Sequence, residues 1–581
     1  MAENITMDPL LTKLITEKES GNRLQERKHL DWDDNYELYR NKVKTNRLTQ
    51  RQAVMIPLMK ETIKTILASV DDAPNIDWME QGGNEDKEIL FQELWDASMR
   101  ENKVELIDIM DKKNVLLYGI STKMFNITEQ GVDIDVLDTY DVTYDPLMQA
   151  GNIESARFIV RQNIFRTVRE ILADDRYTQE GKDSLKIWIE APAGFQHSEA
   201  AREQWEAKME RARDMGVEHG DFPLYAGGDT LVNLTEHYTR IWDTKTSKWE
   251  RRVVTYADNE VVLSDDSLKS LIGVDFWPFV VWNEDPETND IYADSVADLV
   301  RTPNKVINVW FSQLVENRTL KNFQMHWYSA KDGYTAQTYT PGAGVMLPAP
   351  PGDDINKVIK PVEINGLDDT MDAINLLTKI VERGSGATAI EKGQGETGTQ
   401  TLGEINVLVG KAMERSVSMA KFYRLAWYET AWKWGKLMHA NGPKIIKLYK
   451  KGASGRVYTK KILRGDWRSD EGYEPKVTST SEQESDSIKT IQKFTFLRTQ
   501  FPGNTALDVI AQKRMLESVN LTPEELKQVT DAQDALQDAQ NQQQQAQQLP
   551  GQPAGQVAPP TENARESALL NEIGSLTNEL Q

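Results

Sequence analysis

Residues 404–441 restrict the fold of this chain more than any other segment, because they are the longest stretch with apolar residues at helical spacing. They read EINVLVGKAMERSVSMAKFYRLAWYETAWKWGKLMHAN. The apolar residues recur at helical spacing and cover most of the circumference of a helix. A helix that is apolar on nearly every side has to be buried. We therefore predict one long helix here, packed between neighbouring elements.

Two further helices are predicted upstream of it, separated by an irregular stretch. Residues 302–320 have Thr302 as a capping hydroxyl and Pro303 suited to the first helical position. Residues 366–383 have acidic groups at the positive end of the second helix. Between them, residues 323–365 are rich in Pro and Gly, which predicts turns with short strands. The next segment, residues 384–403, is a polar, Gly-rich loop with little to bury.

The remaining sequence predicts helices first and strands afterwards. Helical spacing covers residues 6–20, 49–69 and 84–118, with Pro57 dividing the second of these and Gly119 ending the third. Alternation with period two begins near residue 121 and predicts antiparallel strands. The fold class is therefore α+β and mainly helical. Other predicted elements are a solvated surface helix at 197–216, a two-stranded hairpin at 445–463, and a Gln-rich stretch, a linker and a short amphipathic helix at the end of the chain.

Composition excludes several classes of chemistry. The 581 residues include no cysteine, which excludes disulfides, thiolate zinc sites and cysteine nucleophiles. The first residues do not resemble a signal peptide, and the apolar runs are too short to span a membrane. The formal net charge is −22, so the chain repels DNA on average. Two interpretations of this charge stay open: it keeps a large protein soluble, or it lets DNA pass without being held.

Motifs for catalysis are weak. Residues 393–398 match G-x-G-x-x-G, but no apolar strand precedes them, so we interpret them as a Gly-rich loop. No phosphate-binding loop of the G-x-x-x-x-G-K-[ST] type is present. The six histidines lack metal-ligand spacing, and Asp133, Asp135, Asp138 and Asp141 fit the outward positions of strands. We expect no enzyme activity, no cofactor and no metal.

Several short motifs, in this order, resemble the portal proteins of tailed bacteriophages, especially short-tailed phages. The first is KNVLLYG at 113–119. The second is WPFVVW at 277–282, followed by IYADS at 291–295 and a helix containing Ile307-Asn308. The third is GTQTLGEI at 398–405, and the fourth is LTPEE at 521–525. Ala293 stands where the family usually has Gly. The resemblance extends over nearly the whole chain.

The resemblance implies a portal fold, in which each subunit contributes a wing, stem, clip and crown to a ring around a central channel. The implied regions are the wing at 1–292, stem helix 1 at 293–322, the clip at 323–365, stem helix 2 at 366–383, the tunnel loop at 384–402, the long helix and second wing part at 403–480, the crown at 481–545, and a flexible tail with a short helix at 546–581.

The resemblance also implies site residues. The channel-lining residues of the tunnel loop would be Lys392, Gln394, Glu396, Thr397, Thr399, Gln400 and Thr401. Lys379 is a candidate for the stem lumen, although a solvated lysine is an equally good interpretation. The surface of the clip used for docking would include Tyr334, Tyr339, Pro341, Pro350 and Pro351.

The implied role is a vertex channel for viral DNA packaging and ejection in the virion. The partners would be about eleven further copies of the chain, double-stranded DNA, a terminase motor, tail adaptor proteins, and capsid and scaffolding proteins, with no membrane. The chain would fold in the host cytoplasm. Two alternatives stay open: another structural virion protein, such as a head–tail adaptor or internal core protein, or a nucleotide-dependent enzyme built on residues 393–398.

Overall fold

The computed structural model describes residues 9–41, 54–69, 75–129, 131–149, 151–190, 231–244, 246–288, 290–322, 326–328, 359–361, 370–385, 402–451 and 457–478. All of them lie in one compact unit, Met1–Ser485.

The described helices are numbered in chain order. They are α1 (Pro9–Arg40), α2 (Leu58–Ser69), α3 (Glu85–Glu101), α4 (Val104–Tyr118), α5 (Val168–Ala173), α6 (Gln179–Glu190), α7 (Leu268–Ile272), α8 (Val296–Asn322), α9 (Thr370–Ser385), α10 (Leu402–Asn441) and α11 (Arg464–Trp467).

The described strands are numbered in the same way. They are β1 (Asn75–Glu80), β2 (Ser121–Ile127), β3 (Val132–Val136), β4 (Val142–Tyr144), β5 (Phe158–Thr167), β6 (Leu231–Asp243), β7 (Lys248–Ala257), β8 (Val261–Ser267), β9 (Phe279–Trp282), β10 (His326–Tyr328), β11 (Ile359–Pro361), β12 (Ile445–Lys451), β13 (Val457–Leu463) and β14 (Tyr473–Thr478).

The strands form small antiparallel sheets. The largest has the order β4-β5-β6-β7-β8, and a three-stranded sheet has the order β3-β2-β9. β12 pairs with β13, β10 with β11, and β1 with β14 from the far end of the described chain. The predicted mixture of helices and antiparallel strands is confirmed.

The main hydrophobic core is built around α10, which packs against β2, β9 and β14. Trp434 of α10 lies in an aromatic cluster with Trp78, Phe91 and Trp95, with centroid separations of 4.9 to 5.9 Å. Rings at these separations stabilise a core beyond the area that they bury. The long helix is therefore present at the predicted place and is buried over most of its surface from residue 419 onward. One stripe of it, which includes Leu425 and Tyr428, stays exposed.

The helix predicted at 84–118 is wrong as a single element. It is divided into α3 and α4 at Lys103, whose φ is 54°, in the left-handed region. The Asn102 side chain donates to the Ser98 carbonyl at 2.8 Å and accepts from the Ile134 amide at 2.9 Å. Contacts with β3 therefore stabilise a break that the local pattern does not show.

The predicted helix start at Thr302-Pro303 is also wrong. α8 begins at Val296, and Pro303 lies inside it. The Ser295 hydroxyl accepts from the Asp298 amide at 3.1 Å, and the Asp298 carboxylate accepts from the Ser295 amide at 2.8 Å. This reciprocal pair satisfies two amides at the helix end. Ser295 therefore begins the helix about two turns earlier than Thr302 would.

The prediction that Gly119 ends the preceding helix is confirmed. Gly119 has φ of 78°, and its amide bonds to the Val115 carbonyl. A Cβ there would overlap the Ala293 carbonyl oxygen. Only glycine combines this backbone conformation with so close an approach of another segment.

Candidate functional site

The helix pair α8 and α9, with the two short strands β10 and β11 between them, forms the candidate site. α8 packs against α9, and Ile307, Ile374 and Val381 are buried with the main core. β10 and β11 pair antiparallel, with His326 opposite Pro361 and Tyr328 opposite Ile359. The pairing of β10 with β11 therefore brings the two ends of residues 329–358 together, and the chain then continues into α9.

The first half of α8 is attached firmly to the N-terminal helices. Lys305 forms an ion pair with Asp34 of α1 at 2.5 Å. The Asn308 side chain accepts from the Ile56 amide at 2.8 Å, and the Ser312 hydroxyl accepts from the Val54 amide at 3.0 Å. These bonds attach the segment that leads into α2 to α8. α8 is therefore held in place from Lys305 to Ser312 by α1 and by the segment before α2.

Lys379 is the only site residue predicted from the sequence that lies within the described part of the chain. It is exposed on α9, between the exposed side chains of Leu376 and Ile380. The predicted tunnel-loop residues, Lys392 through Thr401, lie outside the described residues. So do the predicted docking residues of the clip (Tyr334, Tyr339, Pro341, Pro350, Pro351), the 393–398 loop, the 197–216 insert and the regions 481–545 and 546–581.

A fully buried ion pair fixes the long helix against the three-stranded sheet. Lys123 of β2 donates to Asp111 of α4 at 2.7 Å, and both side chains have 0% exposure. The Trp282 indole N–H donates to the other oxygen of Asp111 at 3.0 Å. The Lys123 ammonium lies 4.7 Å from the centroid of the Trp427 ring on α10. Burial of two charges is tolerated only when their hydrogen bonds are satisfied, and here the partners come from four elements.

A second buried lysine connects α10 to β9, an edge strand of that sheet. Lys433, with 1% exposure, donates to the Phe279 carbonyl at 2.6 Å and pairs with Glu154 at 3.0 Å and Glu429 at 2.9 Å. α10 is thus held by charge as well as by apolar packing. Sequence reasoning missed both lysines, because their partners are brought together only by the fold.

Another buried polar cluster attaches α1 to the five-stranded sheet. Lys18 donates to Thr235 at 3.0 Å and to Asn259 at 3.1 Å. Burial lowers the pKa of Lys18 to about 8, although Asp258 opposes this effect. Burial raises the pKa of Asp258 to about 7. Both groups are enclosed between a helix and a sheet, so they serve attachment rather than contact with a substrate.

Sequence reasoning also missed a strongly basic element, the β12–β13 hairpin. Residues 444–468 contain nine Lys and Arg residues and one acidic residue, Asp466, in a chain whose net charge is −22. The signal was present in the sequence. Alternation in this segment predicts the hairpin, and its excess of Lys and Arg is the further signal that marks it as basic.

The described ranges contain neither a cluster of metal-ligating side chains nor a helix able to span a membrane. No group of three or more His, Asp or Glu side chains there is arranged to hold a metal ion. In the same residues, no helix is both long and apolar enough to cross a membrane.

No protein-family model matches the chain, and no curated protein matches its sequence. Among solved structures, it is similar to a chain of "Neck of empty GTA particle computed with C6 symmetry", at a TM-score of 0.36 and 10% identity, over 81% of this chain and 94% of that one. It is also similar to a chain of "Virion of native gene transfer agent (GTA) particle", at a TM-score of 0.37 and 11% identity, over 82% and 93%. TM-scores at this level do not establish that two chains share a fold.

Proposed function

We propose that the chain is a subunit of a portal ring, the channel through which a tailed phage packages and ejects its DNA. One observation carries the proposal. Two packed helices, α8 and α9, flank an excursion whose ends are joined by β10 and β11, and the chain then continues into the long buried helix α10. This order supports the stem–clip–stem arrangement that the sequence motifs imply.

The geometry suits a conduit. α8 is attached to α1 and to the segment before α2, and β10 and β11 pair beyond the other end of the helix. Copies arranged head to tail around an axis can place such helix pairs side by side. Each copy adds a formal charge of −22, and wherever that charge lines the lumen it repels the DNA toward the axis. Lys379, exposed on α9, supplies a sparse phosphate contact.

In this proposal the ring is passive. The sequence has no phosphate-binding loop of the motor type, so a terminase partner supplies the energy for DNA movement. The clip region receives first that motor and later the tail adaptor. The 384–402 loop touches the passing duplex without reading its bases.

Mass photometry and negative-stain microscopy of the full chain test the proposal. A ring of about twelve subunits with a central hole is the expected result. A stable monomer that binds nucleotide would overturn it in favour of an enzyme. A stable monomer or filament that binds none would favour another structural virion protein.

A deletion tests the assignment of the tunnel loop. Removing residues 388–400 should leave ring assembly intact and impair DNA packaging or retention. The matched control replaces the same residues with an equal length of Gly and Ser. Loss of the ring in the deletion variant alone would show that these residues are structural, which contradicts the assignment.

A further inference from the structure

The β12–β13 ribbon carries a charge opposite to that of the molecule. Residues 444–468 have a formal charge of +8, from nine basic residues and Asp466. Two of the charged groups have structural partners. Arg464 donates to the carbonyls of His439 and Ala440 at the end of α10, and Asp466 accepts from the Leu463 amide. Lys447 and Lys461, by contrast, are exposed on the two strands.

The register of the ribbon separates an inner face from an outer face. Ile446 pairs with Ile462, and these two side chains pack into the main core. The neighbouring pairs point to the other side, because successive residues of a strand alternate. The outer face therefore carries Lys447 opposite Lys461 and Ile445 opposite Leu463, and all four of these residues are exposed.

The Lys447–Lys461 pair opposes the stability of the ribbon. Like charges directly across an antiparallel pair repel each other. Lys444 is also exposed beside them, and Lys460 is half-buried on the same strand as Lys461. A sequence that places like charges together, against the local rule, is typical of a binding surface for the opposite charge.

Phosphate fits this surface better than an acidic protein does. The cores of protein–protein interfaces are poor in lysine and rich in aromatic residues, whereas the four exposed residues of the outer face include two lysines and no aromatic side chain. Lysine clustered on one face is the usual footprint of nucleic-acid backbone binding. A two-stranded ribbon is also narrow enough to enter a DNA groove.

The acidity of the rest of the chain does not prevent such a contact. At about 0.1 M salt the Debye length is about 10 Å, so carboxylates farther from the ribbon are largely screened. A local excess of lysine can therefore bind phosphate on a molecule that is acidic overall.

We propose that the outer face of β12–β13, centred on Lys447 and Lys461, binds the phosphate backbone of duplex DNA without reading its sequence. The inference goes beyond the proposed conduit, in which DNA passes without being held. It requires only the ribbon and not the ring.

The test measures binding of the full chain to two unrelated 30-base-pair duplexes by fluorescence anisotropy, from 50 to 200 mM NaCl. The slope of log K against log salt concentration is negative, and each phosphate contact makes it steeper by about 0.9. The Lys447→Gln/Lys461→Gln variant should make this slope shallower by about 2 and weaken binding equally on both duplexes. The control, Lys64→Gln/Lys269→Gln, removes two exposed lysines elsewhere and should bind as the wild type does.

A second variant separates binding from folding. Lys461→Glu places a carboxylate opposite Lys447, which should raise the melting temperature while DNA binding falls. If the ribbon had only a structural role, the melting temperature could rise but DNA binding would not fall. Unchanged slope and affinity in the Gln variant, relative to the control, would overturn the inference. So would tighter competition by poly-glutamate than by DNA, which would assign the ribbon to an acidic protein.

The two proposals fail separately. A chain that binds DNA through the ribbon but forms no ring would overturn the portal function alone. A ring whose ribbon variants bind DNA normally would overturn the ribbon inference alone.

Discussion

Removing one partner of the buried Lys123–Asp111 pair should destabilise the chain strongly. At 2.7 Å and an effective dielectric constant of about 20, the attraction between the two charges is about 6 kcal/mol. This attraction offsets a desolvation cost of several kcal/mol for each ion. Lys123→Met leaves the Asp111 carboxylate buried, with the Trp282 indole as its remaining side-chain donor among the described residues. We expect a loss of about 3–5 kcal/mol in the free energy of unfolding.

The double variant shows whether the charge itself is responsible. Asp111→Asn keeps an acceptor for the Trp282 indole and removes the negative charge. Combined with Lys123→Met, it should cost only about 1–2 kcal/mol, far less than the sum of the two single variants. The matched exposed pair is Lys186–Asp183, also at 2.7 Å but with side chains 52% and 57% exposed. Lys186→Met should leave the unfolding midpoint nearly unchanged, because water screens that pair.

Urea unfolding followed by tryptophan fluorescence measures these changes, since Trp282 and Trp427 lie beside the pair. A loss below about 1 kcal/mol in the free energy of unfolding for Lys123→Met would refute the reasoning, because a buried carboxylate without its counter-ion should destabilise the fold by more than that. Strict additivity of the single variants would refute it as well.

Three further predictions concern local structure and pH. Gly119→Ala should lower the free energy of unfolding by more than about 3 kcal/mol, because it adds a clash with Ala293 to the unfavourable backbone angle. Gly83 has a similar φ but open space around it, so Gly83→Ala should lower the free energy by about 1 kcal/mol. Urea unfolding measures both changes. Ser295→Ala should cost about 1 kcal/mol through loss of the α8 cap, with a lower melting temperature as the readout. The raised pKa of Asp258, about 7, means that the folded chain keeps a proton between pH 4 and 7 that the unfolded chain releases, so stability falls as pH rises through this window. Asp258→Asn should remove about 4 kcal/mol of that pH dependence, and equal wild-type and variant slopes between pH 4 and 7 would contradict this prediction.

The parts of the fold that depend on local pattern could be predicted from the sequence. α10 and Gly119 illustrate this, because apolar spacing and a positive φ are read from neighbouring residues. The start of α8 could not be chosen locally, since Ser295 and Thr302 are both good caps. Asp298 decides it, because it also bonds to the distant Asn35 side chain at 3.0 Å.

The candidate site was predictable only in part. The order of helices and the excursion between α8 and α9 follow from composition. The Lys433–Glu154 pair joins residues 279 positions apart, and no local pattern encodes such a contact. The charge of the ribbon can be counted from the sequence, but only the strand register places Lys447 and Lys461 on the exposed face.

The pairing of β1 with β14 has a consequence for synthesis. Ser469, just before β14, donates to Glu80 at the end of β1, 389 residues earlier. At about 5–20 residues per second, roughly 20 to 80 seconds of translation separate the two partners. Throughout that interval the edge of β1 has no strand beside it, and for most of it Trp78 also lacks the Trp434 ring of α10 that later covers it. An open edge beside an apolar surface promotes association between nascent chains, so the yield of folded protein depends on how long this intermediate survives in the cell.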